Sequence, residues 1–120
     1  MPAPGELVTG NAAEDTVPFR GWLVGHFVPP EFGLRSTPEV EVKWGVHPVG
    51  DSRSGWGSNE ATTFSVLVSG SIRYEFSDGQ CVRLVRPGDY ALWAPGVPHR
   101  WFVEREPTVV FTVRWPSIAP

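Results

Sequence analysis

Between Gly88 and His99 the chain reads GDYALWAPGVPH: a turn, a short apolar strand, a second turn through Ala94-Pro95-Gly96-Val97-Pro98, and a histidine opening the next strand. This arrangement delivers an imidazole into the interior of a β-barrel, where it can ligate a metal or move a proton. His99 is the leading candidate for chemistry, and His26 and His47 are the only other histidines. Strict alternation in VEVKWGVH puts Glu41, Lys43, Gly45 and His47 on one face and Val40, Val42, Trp44 and Val46 on the other. If the polar face is the inner one, Lys43 and His47 make a cationic end suited to a carboxylate or an enolate. If it is the outer one, it is simply solvated. Arg53, in the loop GDSRSGW, either clamps an anion through its guanidinium or is an ordinary solvated arginine. His26 alternates with Trp22 and Val24 and reads as a satisfied core histidine. Cys81, without an activating neighbour, reads as a small buried residue.

The elements that must position these residues are short strands. Thirteen glycines and thirteen prolines break the chain every few residues, and Val, Phe, Trp, Thr and Ile fill the gaps. Strands are predicted over 22–28, 40–47, 62–68, 72–76, 81–85, 90–93, 99–103 and 109–115, with no helix of useful length. Asp78-Gly79 is a hairpin signal, and Ser69-Gly70 reads as the turn joining the preceding pair, which predicts a three-strand meander. Residues 1–17 are small, polar and acidic without either hydrophobic period and are expected to be a flexible arm or an edge addition. Residues 18–120 then form one all-β domain.

Composition narrows the function classes. A chain of 120 residues can bury a core without staples, and its single cysteine excludes an internal disulfide. The N-terminus has neither a basic start nor an apolar run, so neither a signal peptide nor a membrane anchor is predicted, and a cytoplasmic location fits. A net charge of −3 with no Lys/Arg cluster argues against nucleic acid as a partner.

The segments TFSVLVSG, SIRYEFSDGQ and VRLVRPGDYALWAPGVPHRW together resemble the core of a small single-domain bacterial cupin, over about sixty residues from near Trp56 to near Trp115. The resemblance implies a cupin-type double-stranded β-helix, a jelly-roll barrel, with His99 at the ligand position of the family's second motif. In cupins the first motif supplies two histidines and a glutamate. Counting back from Gly70 puts Thr63 at the glutamate position and Trp56 and Ser58 at the histidine pair, so three of the family's four usual ligands are absent. Glu60 lies an odd number of residues from Thr63 and is read as a loop residue on the wrong face.

Six tryptophans are many for this length. Trp44, Trp56, Trp93 and Trp101 flank or occupy the elements that carry a cupin's ligands, so they line a cavity for a flat or apolar ligand or else build the core and a sheet-to-sheet dimer contact. The expected function is a small-molecule-binding cupin without the usual metal set, acting as a binder or as an acid/base enzyme of isomerase or cyclase type. His99 and His47 would be its catalytic residues, and Lys43, Arg53, Trp56, Thr63, Trp93 and Trp101 would be its ligand-binding residues. No cofactor is expected. One alternative is a metal-dependent oxygenase or isomerase built on His47, His99 and one further ligand. A second is a non-catalytic structural or regulatory module. A homodimer is the expected assembly.

Overall fold

The computed structural model describes residues 6–48 and 50–117. Seven strands carry the fold: β1 Trp22–Val24, β2 Glu41–His47, β3 Ser52–Gly57, β4 Thr62–Phe76, β5 Cys81–Leu84, β6 Tyr90–Trp93 and β7 His99–Trp115. They form one antiparallel sheet in the order β1-β2-β7-β4-β5, with β3 added to β7 and β6 added to β4. The long strands β4 and β7 pair along most of their length, from Thr62↔Trp115 to Phe76↔His99. Each changes its second neighbour half-way: β7 from β3 to β2, and β4 from β6 to β5. One sheet therefore curls into two facing halves, which is the jelly-roll solution to exposed strand edges.

Two strand pairs predicted as separate are single strands. Ser69-Gly70 is not a hairpin turn: β4 runs straight through it with a shift of register against β7. Gly70 has φ +90, and a Cβ there would collide with Thr108 and the Pro107 carbonyl, so it marks a bulge where two backbones touch. The meander is thus reduced to the β4–β5 hairpin, with Glu75 opposite Cys81 across the Asp78-Gly79 turn. Burial along β5 turns Val82 and Leu84 inward and leaves Cys81 exposed, contrary to its reading as a buried residue. β3 went unpredicted. In the N-terminal region Asn11 caps a one-turn helix, α1 (Ala12–Asp15), by accepting the Ala13 and Glu14 amides. No described helix is long and apolar enough to cross a membrane.

Core packing centres on Leu67, Ile72, Tyr74, Leu84, Trp93, Val103 and Val110, with Trp101 and Phe76 packed against them. Burial alternates along β4, placing Thr63, Ser65 and Leu67, then Ile72 and Tyr74, on the inside. The sheet's inner face is apolar toward β5 and increasingly polar toward β2. That gradient leaves the cavity described next.

Candidate functional site

A cavity of about 140 Å³ opens between the two halves, close to the roughly 150 Å³ of a protein cavity that takes up benzene. Every strand but β1 and β5 contributes to its wall: Lys43, Gly45 and His47 from β2, Arg53 from β3, Thr63, Ser65, Ile72 and Tyr74 from β4, Trp93 from β6, and His99, Trp101, Val110, Thr112 and Arg114 from β7. Asn59, in the β3–β4 loop, completes it. The polar face of β2 thus points inward. Seven of the residues expected at the site meet here: Lys43, His47, Arg53, Thr63, Trp93, His99 and Trp101.

Trp56 does not join them. The β3–β7 register carries a bulge between Arg53 and Gly57, and Gly57 faces His99 across it. Trp56, one residue before Gly57, points the other way; it is 48% exposed, with the Arg100 guanidinium 4.3 Å from its ring centroid. Trp44 also lies outside the cavity, packed on Phe111. Only Trp93 and Trp101 of the six tryptophans line the wall, and each backs a histidine, at 4.8 Å between ring centroids for Trp93–His99 and for Trp101–His47.

His99 is positioned by local turn chemistry. The Asp89 carboxylate accepts the Val85 and Arg86 amides, which holds its pKa below the usual carboxylate range, and Gly88 takes a φ of +97 to donate to the Leu67 carbonyl. This hangs β6 beside β4. The following turn is fastened by Gly96 N–H donating to the Asn59 carbonyl, at 2.7 Å. His99 is 8% exposed, and its Nδ1 lies 3.1 Å from the Val97 carbonyl. A carbonyl can only accept, so the proton sits on Nδ1 and Nε2 is an acceptor. Burial pushes the imidazole pKa down, the Val97 bond opposes this, and the Arg53 and Arg114 charges add to it. These effects together favour the neutral ring.

His47 is held by a carboxylate. Asp51 Oδ2 lies 2.8 Å from His47 Nδ1, which again places a proton on Nδ1 and fixes the ring's orientation. The ring folds back along β2 over Gly45, where a Cβ would sit 2.9 Å from Nε2. Gly57 does the same for Arg53: any side chain there would collide with the Arg53 guanidinium. Both glycines thus clear space for a charged or basic group.

Lys43 and Arg114 make the cationic end. Arg114 Nε lies 2.9 Å from Glu41 Oε1 in an ion pair too poorly aligned to be a hydrogen bond, and Glu41, 3% exposed, also accepts from Ser117 Oγ at 2.9 Å. Ser117 in turn takes the backbone N–H of His26, whose Nδ1 lies 2.6 Å from the same oxygen, so His26 is satisfied outside the cavity. Burial pushes the Lys43 ammonium below its ordinary pKa and the Arg114 charge adds to this, while Asp51 opposes it. The Tyr74 hydroxyl is pushed up to about 12 by burial, partly offset by its bond to Ser65, and stays protonated. The Trp93 indole N–H is buried without a hydrogen-bond partner among the described residues.

Arg114, Asp51, Gly45 and Gly57 were not singled out from the sequence. Gly45, alternating with Lys43 and His47, carried the one available signal; the others depend on tertiary contacts.

No protein-family model matches the chain, and no curated protein matches it. Solved structures do. The DMSP lyase DddQ from Ruegeria pomeroyi DSS-3 superposes with a TM-score of 0.68 at 16% identity, covering 82% of this chain and 47% of the lyase. KdgF from Halomonas sp. gives 0.61 at 19% identity over 69% of this chain and 75% of its own. An RmlC-like cupin family protein with a double-stranded β-helix fold from Methanocaldococcus jannaschii gives 0.60 at 15% identity, over 68% and 73% of the two chains. This chain has the cupin fold. It spans about half the length of the DMSP lyase.

The metal that the cupin resemblance implies does not fit this barrel's donors. Of the four ligand positions, Thr63 and His99 line the cavity, Trp56 points outward, and Ser58 is exposed outside the wall. No group of three His, Cys, Asp or Glu side chains converges among the described residues. Three cationic side chains share the same wall, and they disfavour a further cation.

Proposed function

We propose that this cupin binds a small organic anion, a carboxylate first of all, and that its two cavity histidines move a proton on it. The observation that carries this reading is the charge of the wall: Lys43, Arg53 and Arg114 line the cavity beside His47 and His99, and no aspartate or glutamate lines it among the described residues. Guanidinium and ammonium groups hold carboxylate oxygens by charge-assisted bonds, and a cavity of this size concentrates them on a single anionic group. The unpartnered Trp93 N–H offers one more donor for an oxygen acceptor.

Both histidines present Nε2 as a proton acceptor. A proton on the carbon next to a bound carboxylate passes to Nε2 of His47, and the electron pair left behind spreads onto the carboxylate oxygens, where Lys43 and Arg114 stabilise it. Return of the proton to a neighbouring atom completes an isomerisation, and departure of a group from the next carbon completes an elimination. Asp51 orients the His47 ring with Nε2 toward the substrate, and His99 Nε2 across the cavity takes or returns the second proton.

The test is a tryptophan-fluorescence screen of organic acids against their amides and amines, with hits followed by NMR for turnover. Acids alone bind, and His47→Asn keeps binding while losing turnover. Hits confined to uncharged ligands would refute the reading. A second reading, a rearranged metal centre, has one observation behind it: both Nδ1 atoms are held, and neither Nε2 has a hydrogen-bond partner among the described residues, as in ligating histidines. Near-stoichiometric zinc, iron, nickel or manganese in protein purified without chelator would favour it.

A further inference from the structure

Lys43 is the only lysine in the chain; every other basic side chain outside the histidines is an arginine. An arginine holds an anion at least as well but keeps its charge at any working pH, whereas a lysine can give up its proton and become a nucleophile. The surroundings of Lys43 favour that loss. Its Nζ lies 5.4 Å from the centroid of the Trp22 ring, and the Arg114 guanidinium carbon lies 4.7 Å from the same centroid, so two cations share one ring. The carboxylates that could steady the ammonium are committed elsewhere, Glu41 to Arg114 at 2.9 Å and Asp51 to His47 at 2.8 Å. Lys43 itself forms no ion pair among the described residues. Burial and the Arg114 charge hold its pKa below the ordinary lysine value, with the Asp51 charge opposing them.

We infer that Lys43 is a nucleophile that condenses with the carbonyl group of a small oxo acid to form a Schiff base in the cavity it lines. The inference rests on the anion reading and names the substrate class within it: Arg53 and Arg114 hold the carboxylate, and the carbonyl of the same molecule meets Nζ. The Nζ lone pair forms the C–N bond as the carbonyl π pair moves to oxygen. Both protons of the amine pass to that oxygen, which departs as water, and one proton from solvent converts the imine to an iminium. The iminium carries the same positive charge as the ammonium it replaces, so the wall keeps its attraction for the carboxylate.

His47 is placed to use it. It shares the inward face of β2 with Lys43, and its ring folds back over Gly45, the inward residue between them, with Nε2 2.9 Å from where a Cβ would stand. A proton leaving a carbon next to the iminium passes to that Nε2, and the electron pair moves into the C=N bond to give an enamine. There it neutralises a positive charge instead of adding to a negative one.

Reductive trapping of the full chain with pyruvate and cyanoborohydride at neutral pH tests the inference. Mass spectrometry is expected to show one reduced adduct, and peptide mapping to place it on Lys43 in preference to the terminal α-amino group by about tenfold or more. An ordinary lysine, with a pKa of about 10.4, would lose that competition to an α-amino group at about 7.7–8.0. Lactate, which has the carboxylate but no ketone, is expected to bind in calorimetry and leave no adduct. Lys43→Arg keeps the charge and is expected to bind pyruvate without being trapped, with circular dichroism confirming its fold. Pyruvate that binds but is trapped mainly at the terminus would overturn the inference and leave the anion reading standing. Acetone trapped on Lys43 as readily as pyruvate would uphold the nucleophile and overturn the anion reading, and neither binding nor adduct would overturn both.

Discussion

Removing the charge of Glu41 isolates the ion pair behind the cationic end. Glu41→Gln keeps the side-chain volume and leaves Arg114, a guanidinium held largely inside the barrel, without its counter-charge. Deleting one partner of a fully buried pair costs about 3–5 kcal/mol. Arg114 is partly open to the cavity, so solvent screening brings the expected loss to about 2–3 kcal/mol. For a chain of this length that corresponds to a melting temperature lower by roughly 10 °C. The assay is thermal unfolding by circular dichroism at neutral pH, repeated for Arg114→Met and for the double variant. The carboxylate and guanidinium are direct partners, so the cycle should show a coupling of more than about 1 kcal/mol, with the double variant more stable than the single losses add up to. A Glu41→Gln protein melting within a degree of wild type, or strictly additive losses, would refute the assignment of Glu41 as the counter-charge that holds Arg114 in the cavity wall.

Other outcomes follow from individual contacts. Gly45→Ala drives a methyl group against His47 Nε2 and is expected to cut turnover by tenfold or more while leaving the melting temperature within a few degrees, read from paired kinetic and melting measurements. Gly70→Ala forces a side chain into both an unfavourable φ and the β7 backbone and is expected to destabilise the fold by about 2–4 kcal/mol in denaturant titration. His99, with its folded pKa held below the ordinary imidazole value of about 6.5, binds its proton more readily in the unfolded chain. Its contribution to stability is therefore complete above about pH 6.5 and declines as pH falls through that value. The difference in stability between pH 7.5 and pH 5 should shrink in His99→Gln, and an unchanged difference would show that the ring does not titrate in this way.

Features fixed by local chemistry were legible in the sequence. The Gly88-Asp89 turn, the bounds of β6 and the delivery of His99 all follow from a few contiguous residues, and the structure shows Asp89 capping that turn. Alternation in β2 correctly grouped Lys43, Gly45 and His47 but left open which face was inside. The answer reverses the usual rule, because the barrel interior is polar at this end and the sheet exterior is apolar. Gly70 misled because a glycine with positive φ looks the same in a turn and in a bulge. Only the approach of Thr108, distant in sequence, separates the two. β3 was missed because SRSGWG is rich in serine and glycine and becomes a strand through its pairing with β7. Trp56 was misplaced for a related reason, since the two-sided logic of a strand fails across the bulge between Arg53 and Gly57. Arg114 gave no local signal: its role comes from Glu41, which meets it only across the β2–β7 pairing.

On the proposed function, the barrel selects a small anion through its basic wall. Calorimetric titration of one small carboxylate and its uncharged amide, against wild type and Lys43→Met, tests it most directly. The expected result is saturable binding of the acid, none of the amide, and a loss of about tenfold or more in the variant. Equal affinity for acid and amide, or acid binding untouched by Lys43→Met, would contradict it.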